Sequence, residues 1–347
     1  MCAGALVSMW AQQAQAQDSF KQTVVVTAAA TPVDLGSATR AVSVISREDI
    51  ASLPVRSVSD LLRLVASVDV RSRGERGVQT DFSLRGGSFG QTLVLVDGVR
   101  LNDAQTGHHN GDIPVPLDAI ERVEVLRGGG SSIFGADAFG GTINIITRRD
   151  ASPSASIEAG SFDLVALRAQ AALGPARART VVSGSVDRSS GFIEERQFAV
   201  GAFTARTVLG SRGTIGLSQV SKDFGANGFY GAAPSHEWTH QTLVDANGVL
   251  GHAGAWTISG TGSFRTHADH FIFTVKQPSL SESRHRSHAA IGTVKGTHPL
   301  GARGTVTAGV EAGRDLVSST NLGDRSLGRA GVFGEARVAV SSAVQVD

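Results

Sequence analysis

The first residues that could do chemistry lie in Gly86–Gly90, which reads GGSFG and matches the G-x-S-x-G pattern of a serine nucleophile. Asp97 and the pair His108–His109 follow in the chain order of a hydrolase triad. That pattern requires a strand, a sharp turn and then a helix, whereas Ser88 is followed by the unbroken β-pattern of Gln91–Val96. The spacing also leaves no room for the intervening strands of a hydrolase sheet. A Gly/Ser loop between strands is therefore favoured, with a serine hydrolase as the weaker alternative.

The histidine pair lies in QTGHHNGD, with Asp103 and Asp112 close in sequence. In a loop such side chains could converge on a metal, but the polar sequence favours exposed loop residues, and no metal site is predicted. Two further pairs are spaced three apart on strand-like segments: His267 with His270, and His285 with His288. This odd spacing puts the members of each pair on opposite faces of a strand, which argues against chelation.

Composition excludes several classes of protein. The 347 residues carry a net charge of +1, so no basic field marks a nucleic-acid binder. The only cysteine is Cys2, which leaves no disulfide or cysteine-based metal site. The glycine-rich run Gly128–Ser132 lacks the G-K-[ST] ending of a phosphate loop and is interpreted as a turn. No cofactor is predicted.

Residues 41–150 alternate short β-patterns with short helices and predict a compact α+β domain. A strand is expected over 41–45, and S-x-x-D helix starts stand at Ser46 and Ser57. Asp97-Gly98 supplies the positive φ angles of a tight hairpin turn. These elements would hold the candidate loops in place.

From residue 151 onward the pattern changes to strands with one small or apolar face and one polar face. In Thr305–Ala312 valine and alanine alternate with threonine, glycine and glutamate, and Trp256–Arg265 and Val332–Val340 behave likewise. Roughly ten such strands fit residues 151–347, as in the transmembrane β-barrels. A soluble β-sandwich would also alternate, but its apolar face would be richer in Leu, Phe and Ile. With one Tyr and three Trp, Phe would have to supply the aromatic girdles.

The N-terminal residues predict export and a partner. Residues 1–16 resemble a secretory signal peptide that lacks a basic n-region. Residues 17–40 form a polar tail around Thr23–Thr27, TVVVT. An isolated β-prone strip suits strand addition to a partner's sheet, and the alternative is an ordinary first strand of the domain that follows. No later run of 18 apolar residues exists, so a membrane protein of this sequence would have to be a closed barrel.

Taken in chain order, these segments resemble a TonB-dependent outer-membrane receptor. The resemblance is carried by SLRGGSFGQTLVLVDGVRLND at 83–103, by IERVEVLRGGGSSIFGADAFGGTINIITRR at 120–149, and by the TVVVTA box. It covers about residues 22–149 and is nearest to the cobalamin-transporter branch. QTGHHNGD departs from the cobalamin pattern, which leaves the transported ligand open.

The resemblance implies an α+β plug domain (41–150) followed by the N-terminal part of an antiparallel transmembrane β-barrel (151–347). It also implies energy-driven uptake of a scarce nutrient, such as cobalamin or a siderophore, with no catalysis. About ten strands of the roughly 22 in the family's barrel are expected here, which suggests an N-terminal fragment. A passive outer-membrane channel or an adhesin is the alternative, and neither needs the TVVVT box.

Partners and site residues follow from the same resemblance. The partners are TonB with its inner-membrane energising complex, outer-membrane lipid, and a small-molecule nutrient or metal chelate, but not nucleic acid. The expected location is the cell outer membrane, with the plug and tail on the periplasmic side. TonB would bind Thr23, Val24, Val25, Val26 and Thr27. Substrate would meet two apical loops, at Ser88, Phe89, Gly90, Gln91, Asn102, Asp103, Gln105, Thr106, His108, His109 and Asn110.

Two arginines are predicted to tie the plug to the barrel wall. Arg85 and Arg127 each end a strand pattern just before glycine. A charge entering the lumen demands partners, and Glu311 and Glu335 lie on the polar side of their strands. At least one of the two arginines is therefore expected to pair with a carboxylate on the wall, and the alternative is that both face water.

Overall fold

The computed structural model describes residues 24–25, 30–130, 135–339 and 345–346. The predicted signal peptide (1–16) lies outside these residues, as do Thr23, Val26 and Thr27 of the predicted TonB-binding strip. The described chain forms a small mixed sheet with two helices, here called the plug, and an eleven-stranded antiparallel sheet, here called the strand wall. Within the described part, no helix is long and apolar enough to cross a membrane.

The plug contains nine strands and two helices in the following order: β1 (Val24–Val25), β2 (Val33–Asp34), β3 (Val42–Ile45), α1 (Arg47–Ser52), α2 (Val58–Leu62), β4 (Val68–Ser72), β5 (Thr80–Leu84), β6 (Thr92–Val96), β7 (Val99–Arg100), β8 (Ile120–Arg127) and β9 (Gly141–Thr147). Its main sheet has the order β3-β8-β9-β6-β7, in which only β6 and β9 run parallel. Short 3-10 helices lie at Phe89–Gln91, Gly107–Gly111 and Leu117–Ala119, among other places. The predicted α+β domain is confirmed.

Local signals in the sequence start the two helices and the hairpin. Ser46 and Ser57 each form a capping box, in which the serine and the aspartate three residues later satisfy each other's backbone N–H groups. Asp97 and Gly98 have φ angles of 50° and 82°, as a tight hairpin turn requires. The apolar side chains of these elements then pack into one core around Leu62, which is fully buried.

The strand wall is an antiparallel meander in which each strand pairs with its neighbours in sequence. Its strands are β10 (Ser154–Gly160), β11 (Leu164–Leu173), β12 (Arg179–Ser189), β13 (Phe198–Val208), β14 (Gly213–Gly225), β15 (His236–Ala253), β16 (Trp256–Ile272), β17 (Glu282–Pro299), β18 (Gly304–Ser319), β19 (Arg325–Ala339) and β20 (Gln345–Val346), with α3 (Pro278–Ser281) before β17. The prediction of about ten strands is confirmed. The longer connections, including 190–197, 226–235 and 273–281, lie at one end of the strand wall, here called the rim.

The two faces of the strand wall differ as the alternation predicts. On β16, Arg265, His267 and Asp269 are buried against the plug, whereas the side chain of Phe264 is turned outward and is 48% exposed. Exposed apolar residues also mark the outward face of the other strands, including Ile215, Leu217, Val244, Val310 and Val332. An apolar outer face around a polar inner face is the arrangement that a lipid surrounding requires.

Aromatic residues bound this apolar band at both ends. Trp238 stacks on His270 with ring centroids 4.8 Å apart, and Trp256 meets His298 at 5.1 Å. Trp256 and His270 lie fourteen positions apart on β16, about 46 Å along the strand. At a tilt of about 40° that length spans roughly 35 Å, close to a bilayer with its interfaces. Tryptophan–histidine pairs thus lie near both boundaries, and the expectation that Phe supplies the girdles stays a prediction.

Candidate functional site

The two predicted substrate loops pack against each other on top of the plug. The Phe89 ring stacks on His108 with centroids 4.4 Å apart, and Asn110 Nδ2 donates to the Phe89 carbonyl at 3.3 Å. A Cβ at Gly107 would come within 2.5 Å of the Phe89 ring, so only glycine permits this contact. The two loops therefore form one surface rather than two.

Ser88 lies at the start of a short 3-10 helix and not at a nucleophile elbow. It precedes the 3-10 helix Phe89–Gln91, and its backbone N–H donates to Gln91 Oε1 at 3.0 Å. The strand β6 follows directly, in place of the helix that a nucleophile elbow needs. Asp97 lies at the far end of β6, about 17 Å along the strand, where it accepts hydrogen bonds from Thr147. A triad through Ser88 cannot assemble.

Four of the predicted substrate residues are used elsewhere. The Asn102 side chain accepts from the Val94 N–H and donates to the Thr92 carbonyl, so it fixes its own loop to β6. The side chains of Asp103, His109 and Asn110 are buried at the junction with the strand wall or in the loop itself. Contact of these four with a substrate stays a prediction. The expectation of an exposed histidine pair holds in part for His108 only.

Several predicted substrate residues do remain accessible. Ser88, Gly90 and Gln91 are exposed, and Phe89, Gln105 and Thr106 are partly exposed. The His108 side chain is 30% exposed and its Nδ1 lies 2.7 Å from Asp81 Oδ1. These residues form the open surface of the two loops, and their contact with a substrate stays a prediction.

Buried charged groups join the plug to the strand wall. This interface cluster consists of Asp103, His109 and Asp112 from the plug and Lys222, Arg265, His267 and Asp269 from the strand wall. Arg265 Nη1 lies 2.6 Å from Asp103 Oδ2, and Lys222 Nζ lies 2.7 Å from Asp112 Oδ1. His267 Nε2 lies 2.8 Å from the other carboxylate oxygen of Asp112.

The interface cluster holds its plug members in their charged forms. Burial by itself would raise the pKa values of Asp103 and Asp112, but Arg265, Lys222 and the nearby imidazoles lower both well below the ordinary value. Burial would lower the pKa of His109, but the surrounding aspartates outweigh it and raise that pKa to about 9. The environment of this loop therefore favours positive charge.

Other ion pairs cross the same interface. Arg76 of the plug lies 2.7 Å from Glu158 and 3.1 Å from Asp187 on the strand wall. Arg206 of the strand wall lies 2.9 Å from Asp97 of the plug and 2.9 Å from Asp245. Sequence reasoning missed all of these pairs, because each joins residues far apart in the chain.

Glu311 and Glu335 do not hold the predicted arginines. Glu311 lies 3.8 Å from Arg100, and Glu335 lies 3.5 Å from Arg337. Among the described residues, no carboxylate oxygen lies within 4.0 Å of the guanidinium group of Arg85 or Arg127. The plug arginine that reaches Glu311 is thus Arg100 of β7. A carboxylate partner for Arg85 or Arg127 stays a prediction.

The described part of the predicted TonB-binding strip is extended. Val24 and Val25 form β1, which pairs antiparallel with Asp34 and Val33 of β2. Farther along, Ala30 is held on the strand wall: its N–H donates to Glu335 Oε2 at 2.9 Å, and its carbonyl accepts from Lys295 Nζ at 2.6 Å. The strip is therefore a strand on the edge of the plug next to a fixed point on the strand wall.

A group of aromatic rings and arginines lies at the rim. The Arg73 guanidinium lies over the Tyr230 ring at 5.2 Å, and that of Arg196 lies over Phe229 at 4.3 Å. Tyr230 also meets Phe271 edge-on at 5.1 Å. Sequence reasoning missed this group, although Tyr230 is the only tyrosine of the chain and follows Phe229 in a glycine-rich loop.

Comparison with known proteins gives the class. Residues 34–142 match the family model of the TonB-dependent Receptor Plug Domain. The iron-regulated outer membrane virulence protein of Vibrio cholerae is 46% identical over 151 residues, which cover 41% of this chain and 22% of that protein. The pyoverdine outer membrane receptor FpvA of Pseudomonas aeruginosa has a TM-score of 0.73 at 16% identity, covering 94% of this chain and 58% of that one. The alcaligin outer membrane receptor FauA of Bordetella pertussis has a TM-score of 0.68 at 15% identity, covering 93% and 56%.

Residues 34–142 therefore form a TonB-dependent receptor plug domain, and the chain as a whole has the fold of the solved receptors. The similar proteins are receptors, and the hydrolase alternative is dropped. Because the chain covers little more than half the length of the solved receptors, uptake, ligand and partners are matters for proposal. The finer likeness to the cobalamin-transporter branch stays a prediction.

Proposed function

We propose that the protein takes up an iron chelate across the outer membrane, with energy delivered through TonB. The relative from Vibrio cholerae is named as iron-regulated, and the two solved receptors are named for pyoverdine and alcaligin. These names favour an iron ligand over cobalamin within the class. The plug is a separate, well-packed unit seated against the strand wall, as a gated uptake route needs.

The observation that carries the ligand class is the group of rings and guanidinium groups at the rim. Arg73 and Arg196 bring two cations to Tyr230 and Phe229, and Phe271 adds a further ring. Such a surface complements an anionic ligand with flat, polarisable groups, through charge and through stacking on the rings. A ferric chelate with aromatic metal-binding groups has both properties.

The extended strip at β1 supports coupling to TonB. Strand addition needs a segment with its backbone already extended, so that its N–H and C=O groups pair with a partner's edge. Val24 and Val25 have this conformation on β2, and among the described residues the pairing covers two positions. A partner strand can therefore replace β2 with little loss of existing contacts.

The test is Val25→Pro in the intact receptor, expressed in a strain without other iron receptors. Proline lacks the N–H that pairing needs and fixes φ, so we expect uptake of ferric chelate to be abolished while surface binding is unchanged. Val25→Ala keeps the N–H and is the matched control, with uptake near normal. Radioactive iron supplied as a catecholate and as a hydroxamate complex would measure both steps.

Normal uptake by the Val25→Pro variant would show that transport does not depend on this strip. That outcome would favour a passive outer-membrane channel. If neither complex binds the unmodified receptor, the iron ligand is rejected. Coupling to TonB would then have to be tested with a different nutrient. Surface binding without uptake by the unmodified receptor would favour an adhesin.

A further inference from the structure

The interface cluster contains donor atoms of the kinds that transition metals prefer. His109, Asp112 and His267 each direct one such atom to a common region, and these atoms all lie within 4.8 Å of one another. Two imidazoles and a carboxylate are a donor set typical of zinc and of other borderline divalent cations. We propose that these three residues bind a divalent cation such as Zn²⁺, which joins the plug to the strand wall.

The distances already approach those of a metal site. Asp112 Oδ2 lies 2.8 Å from His267 Nε2 and 3.7 Å from His109 Nδ1. Two ligand atoms on a tetrahedral zinc ion, each about 2.0–2.1 Å from it, lie about 3.3 Å apart. These two separations lie on either side of that value, so the three donor atoms would have to shift to share one ion.

A carboxylate lies near the outer nitrogen of one ligand, slightly beyond hydrogen-bond distance. If His109 binds through Nδ1, its Nε2 carries the proton, and Asp269 Oδ2 lies 3.6 Å from that nitrogen. Carboxylate–histidine–metal relays of this kind orient the ring and raise its basicity. Asp269 is a positioning residue in this arrangement.

A buried acceptor lies on the outer side of the His109 ring. Asp269 is 7% exposed, and its Oδ1 is buried with no hydrogen-bond partner among the described residues. A buried carboxylate oxygen without a partner carries a desolvation cost. Metal binding at Nδ1 would fix the His109 tautomer whose Nε2–H points toward the Asp269 carboxylate, so it would hold a donor beside this acid.

The region around the proposed site is rich in acids. Four buried acids meet here, namely Asp103, Asp112, Asp269 and Glu237. Their permanently cationic neighbours are Lys222 and Arg265. A divalent cation would displace the proton of His109 and bring positive charge to these acids at the contact between the plug and the strand wall.

The experiment measures Zn²⁺ binding to the intact receptor, purified in detergent without a polyhistidine tag. Isothermal titration with ZnCl₂ should show one site per chain, and Co²⁺ should give the visible absorption of a tetrahedral complex. His109→Ala and His267→Ala should each weaken binding at least about tenfold, and Asp269→Asn by about 10–100-fold as a loss of the outer partner. His108→Ala, on the same loop, and His270→Ala, on the opposite face of β16, are the matched controls and should bind normally.

Hydrogen exchange separates a bridging site from a surface one. Zn²⁺ should slow amide exchange over residues 103–112 in the unmodified receptor and leave it unchanged in His267→Ala. His267→Gln keeps the size of the side chain and replaces His267→Ala if that variant does not fold. Absence of binding would overturn the proposal, as would binding that survives both histidine substitutions.

Discussion

The plug and the strand wall follow opposite rules for what they bury. The plug buries leucine, isoleucine and valine around Leu62, as a water-soluble domain does. The strand wall buries Arg206, Arg265 and Lys222 against the plug and exposes residues such as Phe264 and Val332 on its outer face. The surface of the plug therefore suits water and polar side chains, whereas the outer face of the strand wall suits lipid.

The contrast teaches that burial alone does not say what a residue contributes. Leu62 is buried because its removal from water stabilises the fold. The charge of Arg265 can be buried because its guanidinium group pairs with the Asp103 carboxylate. Adjacent positions on β16, 264 and 265, obey the two opposite rules, which makes them the sharpest place to test the comparison.

The largest effect is expected for Arg265→Leu. This change leaves the fully buried Asp103 without its cation, and a broken buried pair costs about 3–5 kcal/mol. The measurement is the free energy of unfolding of the receptor by denaturant in detergent. The double variant Arg265→Leu with Asp103→Leu should regain much of the loss, because apolar residues can replace a buried pair. A single variant as stable as the unmodified receptor would break the comparison.

Leu62→Ala tests the contribution of apolar burial in the plug core. Removing a fully buried leucine from the plug core should cost about 2–5 kcal/mol, through lost burial and the cavity left behind. The same unfolding measurement applies. Val332→Ala on the outer face, at a side chain that is 85% exposed, is the control and should change little. Equal losses in the two variants would contradict the assignment of the outer face to lipid.

The smallest effect of the three is expected for Phe264→Arg. A cation placed on the lipid face near mid-depth should cost about 2–4 kcal/mol of folding into a bilayer. Folding into lipid vesicles, followed by resistance to heat and detergent on a gel, would report the change. Gly262→Arg, on the same face, should behave alike, whereas Thr261→Arg points inward and should not depend on lipid thickness. Unchanged folding of Phe264→Arg would show that the outward face of β16 does not contact lipid at this position.

Local features of the fold could be predicted because they depend on neighbours in sequence. The capping box between Ser57 and Asp60 needs only three residues of spacing. The turn at Asp97-Gly98 depends on the φ preferences of two residues, and the alternation along Thr305–Ala312 depends on the pleat of a single strand. The observed structure agrees with each of these.

The contacts between the plug and the strand wall could not be predicted in the same way. Arg265 and Asp103 lie 162 residues apart, and His267 and Asp112 lie 155 apart. Nothing in either local sequence says that the two elements meet, since that depends on how the plug is seated. QTGHHNGD looked like an exposed loop because its residues are polar, and the polar strand wall is what buries it.

The two hydrogen bonds at Ala30 add to the resistance of the N-terminal tail against a pull on β1. A pull on the strip at β1 travels along the chain and reaches Ala30 before it reaches the body of the plug. Glu335 and Lys295 hold that residue on two different strands of the wall, β19 and β17. The β1–β2 pairing carries the same pull into β2, so the two hydrogen bonds at Ala30 resist it together with that pairing. Ala30 is thus a point at which the N-terminal tail is anchored to the strand wall, through one carboxylate and one ammonium group.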